Sequence, residues 1–287
     1  MPEQRPASGI PASRAPLDPA TLADQFRRLI DGLPADFVRP ADTTDPVWVV
    51  YQESQPLGTV SALRTEEATT WRIQASGERM HALDDTVRAL RRPRTWSRDR
   101  AQASDWARRT LADPRTVLID LETTGLTTPY AVQIAAIDAY GRTIIDTLVQ
   151  PQEPIEDGAI AVHGVTMEMV REAPIYAAIL PRLADALTGR HCVAYNSAFD
   201  RECLARETAR ATAAGHPQAS ALWQSLTWAD AMEPYAAWRG LWHAGRGTYR
   251  AQPLGGTHRA ASDCFTLLER MNAMADGPAW QLGPQGT

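Results

Sequence analysis

Lysine is missing from the chain. All 29 basic residues are arginine, and asparagine occurs only at positions 196 and 272. Arg, Ala, Gly and Pro have GC-rich codons, whereas Lys and Asn have AT-rich ones, so this usage points to a high-GC coding sequence. Apolar runs are short, and none approaches the roughly 18 residues of a membrane helix. Residues 1–20 are rich in Pro, Ala and Ser and lack the apolar centre of a signal peptide, so a cytoplasmic chain is expected. Cysteine is scarce: Cys192, Cys203 and Cys264 are odd in number and never spaced C-x-x-C. That excludes a disulfide scaffold and a zinc knuckle, and leaves them as small buried hydrophobes. Positive charge is also short. Against 34 acids the net charge is −5, which at first sight argues against a nucleic-acid partner.

What is present has a clear organisation. The 287 residues suffice for two modest domains. Residues 1–18 carry four prolines and read as a disordered lead. A small α+β domain of unknown role is expected over 19–92. In it Leu22, Phe26, Leu29, Ile30 and Leu33 recur at helical spacing, and strands at 48–51, 59–63 and 70–73 lead into a helix over 81–91, a β-β-β-α unit. Residues 93–114 read as a basic linker or helix. Across 88–115 nine Arg face three Asp, with Trp96 and Trp106 among them. This composition suits either a single-strand contact surface or a solvated helix whose tryptophans pack on a domain.

From Arg115 the pattern becomes α/β. Strands are expected at 116–121, 132–139, 143–149 and 190–195, and helices over 165–187, 199–214 and 259–274. Residues 276–287 read as a tail. Gln281-Leu282 is followed by Gly283-Pro284 where a clamp-binding motif needs apolar residues, so that role is rejected.

Chemistry concentrates in three places. The first is Asp120-Leu-Glu122-Thr-Thr-Gly125, at the end of apolar Val117-Leu-Ile119. Residues two apart on a strand share a face, so both carboxylates project together. They repel unless a cation lies between them, and a hard divalent ion is the natural partner. Glu122 excludes a D-x-D-x-T phosphatase motif. The second is Asn196-Ser-Ala-Phe-Asp200 at a strand-to-helix junction. Here Ser197 and Asp200 have capping-box spacing, and Asp200 can serve both as a cap and in a sheet-end site, since a cap needs only one oxygen. The third is His258-Arg-Ala-Ala-Ser-Asp263 after Gly255-Gly256. Five helical residues turn about 500°, so the two ends meet only if His258 leans back from the loop.

Taken in order, Asp120-x-Glu122-Thr-Thr-Gly125, His163-Gly-Val-Thr166, Asn196-x-x-Phe199-Asp200 and His258-x-x-x-x-Asp263 resemble the DnaQ-like exonucleases of the DEDDh type. That group includes the proofreading subunit of bacterial DNA polymerase III, ribonuclease T and oligoribonuclease. The resemblance covers about residues 115–275. It implies a ribonuclease-H-like mixed sheet flanked by helices. It also implies metal-binding acids at Asp120, Glu122, Asp200 and Asp263, and a general base at His258. Two Mg²⁺ ions, with Mn²⁺ able to substitute, would clamp the attacking and leaving oxygens. An imidazole can take the proton of the attacking water. The backbone of Thr123, Thr124, Gly125 and Leu126 matches the place where relatives hold the terminal nucleotide. His163 matches a pocket-lining histidine or a buried helix-entrance one. Asn196 belongs to the same substrate-side set. Phe199 either stacks on a base or, as the reading favours, fills the core behind Asp200. The aromatic residues Trp223, Trp228, Tyr235, Trp238, Trp242 and Tyr249 form either a stacking wall or a cluster packed on the sheet.

The resemblance implies a 3′–5′ exonuclease that releases 5′-nucleoside monophosphates, with DNA favoured and a proofreading or repair-like role. An exoribonuclease on short RNA and a non-catalytic nucleic-acid or polymerase-binding module are the alternatives. The expected partners are nucleic-acid 3′ ends, mainly single-stranded DNA, with a polymerase or repair protein reached through residues 19–114. The charge then reads differently. Residues 1–114 hold 16 Arg and 16 acids, so the whole deficit lies beyond them, where four acids are the proposed metal ligands.

Overall fold

A computed structural model describes residues 17–65 and 68–277. The expected lead and tail, and Gln281-Leu282, lie almost wholly outside the described residues. The chain divides into two compact units. One runs to Pro93 and includes Leu241–Thr248, and the other comprises Arg94–Gly240 and the chain from Tyr249 onward.

The first unit is an antiparallel sheet whose strands lie in chain order: β1 (Gln25–Ile30), β2 (Leu33–Val38), β3 (Val47–Gln52), β4 (Gln55–Arg64), β5 (Thr69–Ile73) and β6 (Arg79–Met80). Helix α1 (Leu83–Leu90) closes it, with Leu83 and Val87 buried against Phe37, Trp48 and Trp71. The three central strands and α1 stand where the sequence put them. The helix expected over 22–33 does not. That segment is the β1–β2 hairpin, turning at Asp31 (φ 56°) and Gly32 (φ 78°), with Ile30 opposite Leu33. Two consecutive left-handed residues are what a tight hairpin turn requires, and an Asp-Gly pair supplies them. Alternation of Phe26, Arg28 and Ile30 toward the core underlies the spacing that mimics a helix, while Leu29 is 66% exposed.

The basic stretch is largely consumed inside the units. Arg88 pairs with Asp31 and Asp85, and Arg92 with Glu78. Arg91 is buried and donates to the carbonyls of Ile30 at 3.0 Å and Pro34 at 3.2 Å. These three arginines fasten α1 to the sheet, which removes them from a nucleic-acid surface. Arg91→Ala is expected to cost about 2–4 kcal/mol in urea unfolding, because it strips charged donors from buried carbonyls. Oligonucleotide binding by the folded protein should be unchanged.

The second unit opens with α2 (Trp96–Ala112), followed by β7 (Thr116–Thr123), β8 (Ala131–Asp138) and β9 (Thr143–Leu148). Next come α3 (Asp157–His163), α4 (Met167–Val170), α5 (Tyr176–Leu187), β10 (His191–Ala194), α6 (Ser197–Ala213), α7 (Gln218–Ser225), β11 (Thr227–Asp230) and α8 (Met232–Arg239). A short pair, β12 (Trp242–His243) and β13 (Thr248–Tyr249), falls in and at the end of the Leu241–Thr248 segment of the first unit, and α9 (Ala260–Asp276) completes the second. The helix expected over 165–187 is therefore broken between α4 and α5. Far from being an open linker, α2 buries Ala103 and Ala107 with Tyr235, Trp238 and Met274.

The five strands lie in the order β11-β10-β7-β8-β9. The pairs β7–β10 and β10–β11 are parallel, and β7–β8 and β8–β9 are antiparallel. The result is a mixed sheet covered on both faces. Val117, Ile119 and Leu121 point to the side of Leu180, Leu183 and Leu204 on α5 and α6. Leu118 points to the side of Cys264, Leu267 and Met271 on α9. Alternation then puts the side chains of Asp120 and Glu122 on the α9 side.

Candidate active site

The site forms where parallel neighbours β7 and β10 part at their C-terminal ends, the usual crevice of an open α/β sheet. Their pairing stops at Val193–Leu118. Beyond it the Leu121 amide donates to Asp200 Oδ1 at 3.1 Å instead of to a strand. Asp200 lies in the first turn of α6, so this bond ties the helix start to β7.

Oxygens of Asp120, Glu122 and Asp263 all lie within 4.8 Å of one another. Asp200 is outside that trio, held by the Leu121 amide, but its charge still acts on Asp120. Burial, then the charges of Asp200, Glu122 and Asp263, push the Asp120 carboxyl well above its ordinary range. Burial and Asp263 raise Glu122 to about 7, opposed by Arg259. Burial raises Asp200 to about 8, against the pull of the Leu121 amide. So much crowded oxygen charge is unfavourable without a cation. The all-oxygen donor set is what a hard divalent ion takes. Among the described residues, this is the one such group of three.

Asp263 is aimed by the loop before α9. Its Oδ1 accepts from the Thr257 amide at 2.8 Å, and its own amide donates to the Arg259 carbonyl at 2.9 Å. A Cβ on Gly256 would collide with that carboxylate. Gly256→Ala is therefore expected to displace Asp263 and lower turnover about tenfold or more, with the melting temperature nearly unchanged. A wild-type rate in a nucleotide-release assay would show that the position of Asp263 is not critical.

His258 is exposed and left-handed at φ 54°, one residue outside the extended N-cap Arg259. The left-handed residue kinks the chain just before the helix.

The neighbouring segment is braced at several points. Thr123 and Thr124 are buried. The Thr123 hydroxyl donates to Gly125 O at 2.8 Å, and the Thr124 hydroxyl accepts from the Tyr130 amide at 3.0 Å. Gly125 packs against the Glu156 carboxylate so closely that a Cβ would clash. Leu126 is 82% exposed. His163 is buried at the exit of α3, rather than at a helix entrance. Its Nδ1 accepts from the Val165 amide at 2.9 Å, so Nε2 carries the proton and donates to Thr123 O at 3.0 Å. Burial keeps it neutral by lowering its pKa. It thus clamps the backbone of Thr123.

Two expectations need correcting. The Ser197–Asp200 capping box does not form. Asn196 is left-handed at φ 64°, and its amide and that of Ser197 donate to the Asp230 carboxylate at 3.2 and 3.0 Å. Phe199 is half-buried and belongs to no core cluster, so it does not fill the core behind Asp200. Of the two readings of the aromatic residues, the packed cluster is the one that four of them follow. Trp223 and Trp228 pack against the α5–α6 side, and Tyr235 and Trp238 are buried together with α2.

Sequence reasoning also missed three supports. Asp230 stands in for a helix cap, and no local signal marks it. Glu207, buried on α6, accepts from the Ala131 amide at 2.9 Å and ties α6 to the start of β8. Arg259 sits inside the quoted motif, but without an assigned task. Asp230 and Glu207 together brace the helix that carries Asp200.

Comparison with known proteins places this geometry. The family model RNase_T, described as Exonuclease, matches residues 117–271. An uncharacterized exonuclease of Escherichia phage 186 is 33% identical over 191 residues, covering 62% of this chain and 97% of that one. A DNA polymerase III subunit epsilon-like protein of Rhodobacter capsulatus is 41% identical over 99 residues, 32% of this chain but 14% of the relative. Among solved structures, exonuclease X in complex with 5′ overhanging duplex DNA is 26% identical. It covers 58% of this chain and 99% of that one, with a TM-score of 0.35. With the family match spanning more than half its length, the chain belongs to the RNase_T exonuclease family, the DnaQ-like group that its motifs resemble.

Proposed function

We propose that residues 115–275 form a metal-dependent 3′–5′ exonuclease domain releasing 5′-nucleoside monophosphates, with DNA favoured. The observation that carries this reading is the convergence of the Asp120, Glu122 and Asp263 oxygens within 4.8 Å, backed by Asp200. Those four acids are the residues that would hold Mg²⁺ or Mn²⁺. When bound, two such ions supply a charge clamp on the attacking and leaving oxygens of a phosphodiester. His258, free in the solvent at the mouth, takes the proton from the attacking water. His163 fixes the Thr123 backbone, and the segment from Thr123 to Leu126 lies against the terminal nucleotide. Exposed Leu126 packs on its base, and Asn196 and Phe199 border the strand at the start of α6.

The preference for DNA is supported by the relatives described as DNA polymerase III subunits. A proofreading or repair-like setting follows from them, with a polymerase or repair partner reached through residues 19–114. No helix among the described residues is long and apolar enough to cross a membrane. A cytoplasmic site of action is part of the same reading.

The test compares matched DNA and RNA oligomers, single- and double-stranded, labelled at either end and incubated with Mg²⁺ or Mn²⁺. A ladder shortening from the 3′ end, faster on single-stranded DNA, is expected. Faster loss of RNA overturns the DNA preference. Inertness toward every substrate overturns the enzyme reading and leaves a non-catalytic binding module.

A further inference from the structure

Arg259 stands beside the carboxylates without a carboxylate of its own. Its side chain makes no hydrogen bond or ion pair among the described residues, and the residue is exposed. The guanidinium lies against the bare backbone of Gly164, the left-handed residue (φ 67°) that ends α3. A Cβ there would crowd Nη2 at 3.3 Å. Its backbone carbonyl accepts from the Asp263 amide at 2.9 Å, so the residue joins the end of α3 to the helix start that carries Asp263.

The shelf beneath it is firm. His163 is fixed through both ring nitrogens, to Thr123 O and the Val165 amide. The Gly164 amide donates to Ile160 O at 2.7 Å. A permanently charged, planar donor at this position has donors that no described residue fills. A phosphodiester is the anion that the site must admit, and its oxygens match the guanidinium fork. The four acids on their own repel a polyanion, so a fixed cation at their edge favours entry of the strand.

We infer that Arg259 is a substrate-binding residue that takes a phosphodiester of the nucleic-acid strand beside the carboxylate cluster, rather than a structural cap on α3. The inference rests on the exonuclease reading proposed above.

Arg259→Ala and Arg259→Lys are compared with wild type on single-stranded DNA at several salt concentrations. Melting temperature is measured alongside, with and without Mn²⁺. Arg259→Ala is expected to raise KM about tenfold while kcat stays within about threefold. Removing one phosphate contact should flatten the slope of log kcat/KM against log salt by about 0.7. Arg259→Lys keeps the charge and loses the fork, so its slope should match wild type while its KM rises by roughly threefold. Melting temperatures and their increase with Mn²⁺ should match wild type in both variants. Wild-type KM and salt slope in Arg259→Ala overturn the inference, and loss of the Mn²⁺ effect overturns it in favour of a role in shaping the acid cluster. Both outcomes require an active wild type. An inactive wild type instead sinks the exonuclease reading and the inference with it.

Discussion

Asp120→Asn is expected to abolish turnover, by about a thousandfold or more, and at the same time to raise the melting temperature of the metal-free protein. The two effects share one cause. Asp120 lies among three other acids, and burial with their charges holds its carboxyl well above the ordinary range. Asparagine keeps the shape and removes one of the repelling charges, so the fold without a cation is relieved. Loss of one oxygen anion also weakens the set that would hold the divalent ions, and the electrostatic stabilisation they lend. Most active sites trade stability for function in this way.

The pH dependence follows from the same charges. Asp120, Glu122 and Asp200 all have folded-state pKa values above their unfolded ones. The folded protein therefore holds protons that the unfolded chain releases. The stabilisation from these groups is complete below about pH 4. It is lost as pH rises through about 7 for Glu122 and about 8 for Asp200. In EDTA, the wild type should melt about 5–10 °C lower at pH 8.5 than at pH 5.5, and Asp120→Asn should show a smaller drop. Added Mn²⁺ should restore the wild type at pH 8.5 and act weakly on the variant. Should Asp120→Asn melt below wild type in EDTA at pH 8.5, the cluster is not held under charge strain.

His258→Ala is expected to lower kcat by about 10²–10⁴ with little change in melting temperature. The side chain is exposed, so its removal costs the fold little. Its backbone is a separate matter, because φ is 54° at a residue with a Cβ. Asparagine tolerates that conformation better than alanine. His258→Asn should therefore be as inactive as His258→Ala and slightly more stable. Turnover near wild type in either variant removes His258 from the role of base. A large fall in melting temperature would instead assign it to holding the loop before α9.

Local pattern determined a good part of this protein. The alternation along β7 was enough to place Asp120 and Glu122 on one face, since a strand has period two whatever surrounds it. The order of the four motifs was enough to identify the family, and the central strands of the first unit were legible from their β-branched and aromatic runs. Tertiary structure decided the rest. The Leu22–Leu33 spacing fits a helix until the Asp31-Gly32 turn pairs Ile30 with Leu33, which no periodicity reveals. Arg88, Arg91 and Arg92 look like a basic surface until Asp31, Glu78 and the carbonyls of β1 and β2 take them. The cap of α6 comes from Asp230, more than thirty residues away. Pairing partners, buried charges and remote caps depend on which segments meet, and that is set by packing of the whole chain. A single strand or motif determines only which side chains travel together.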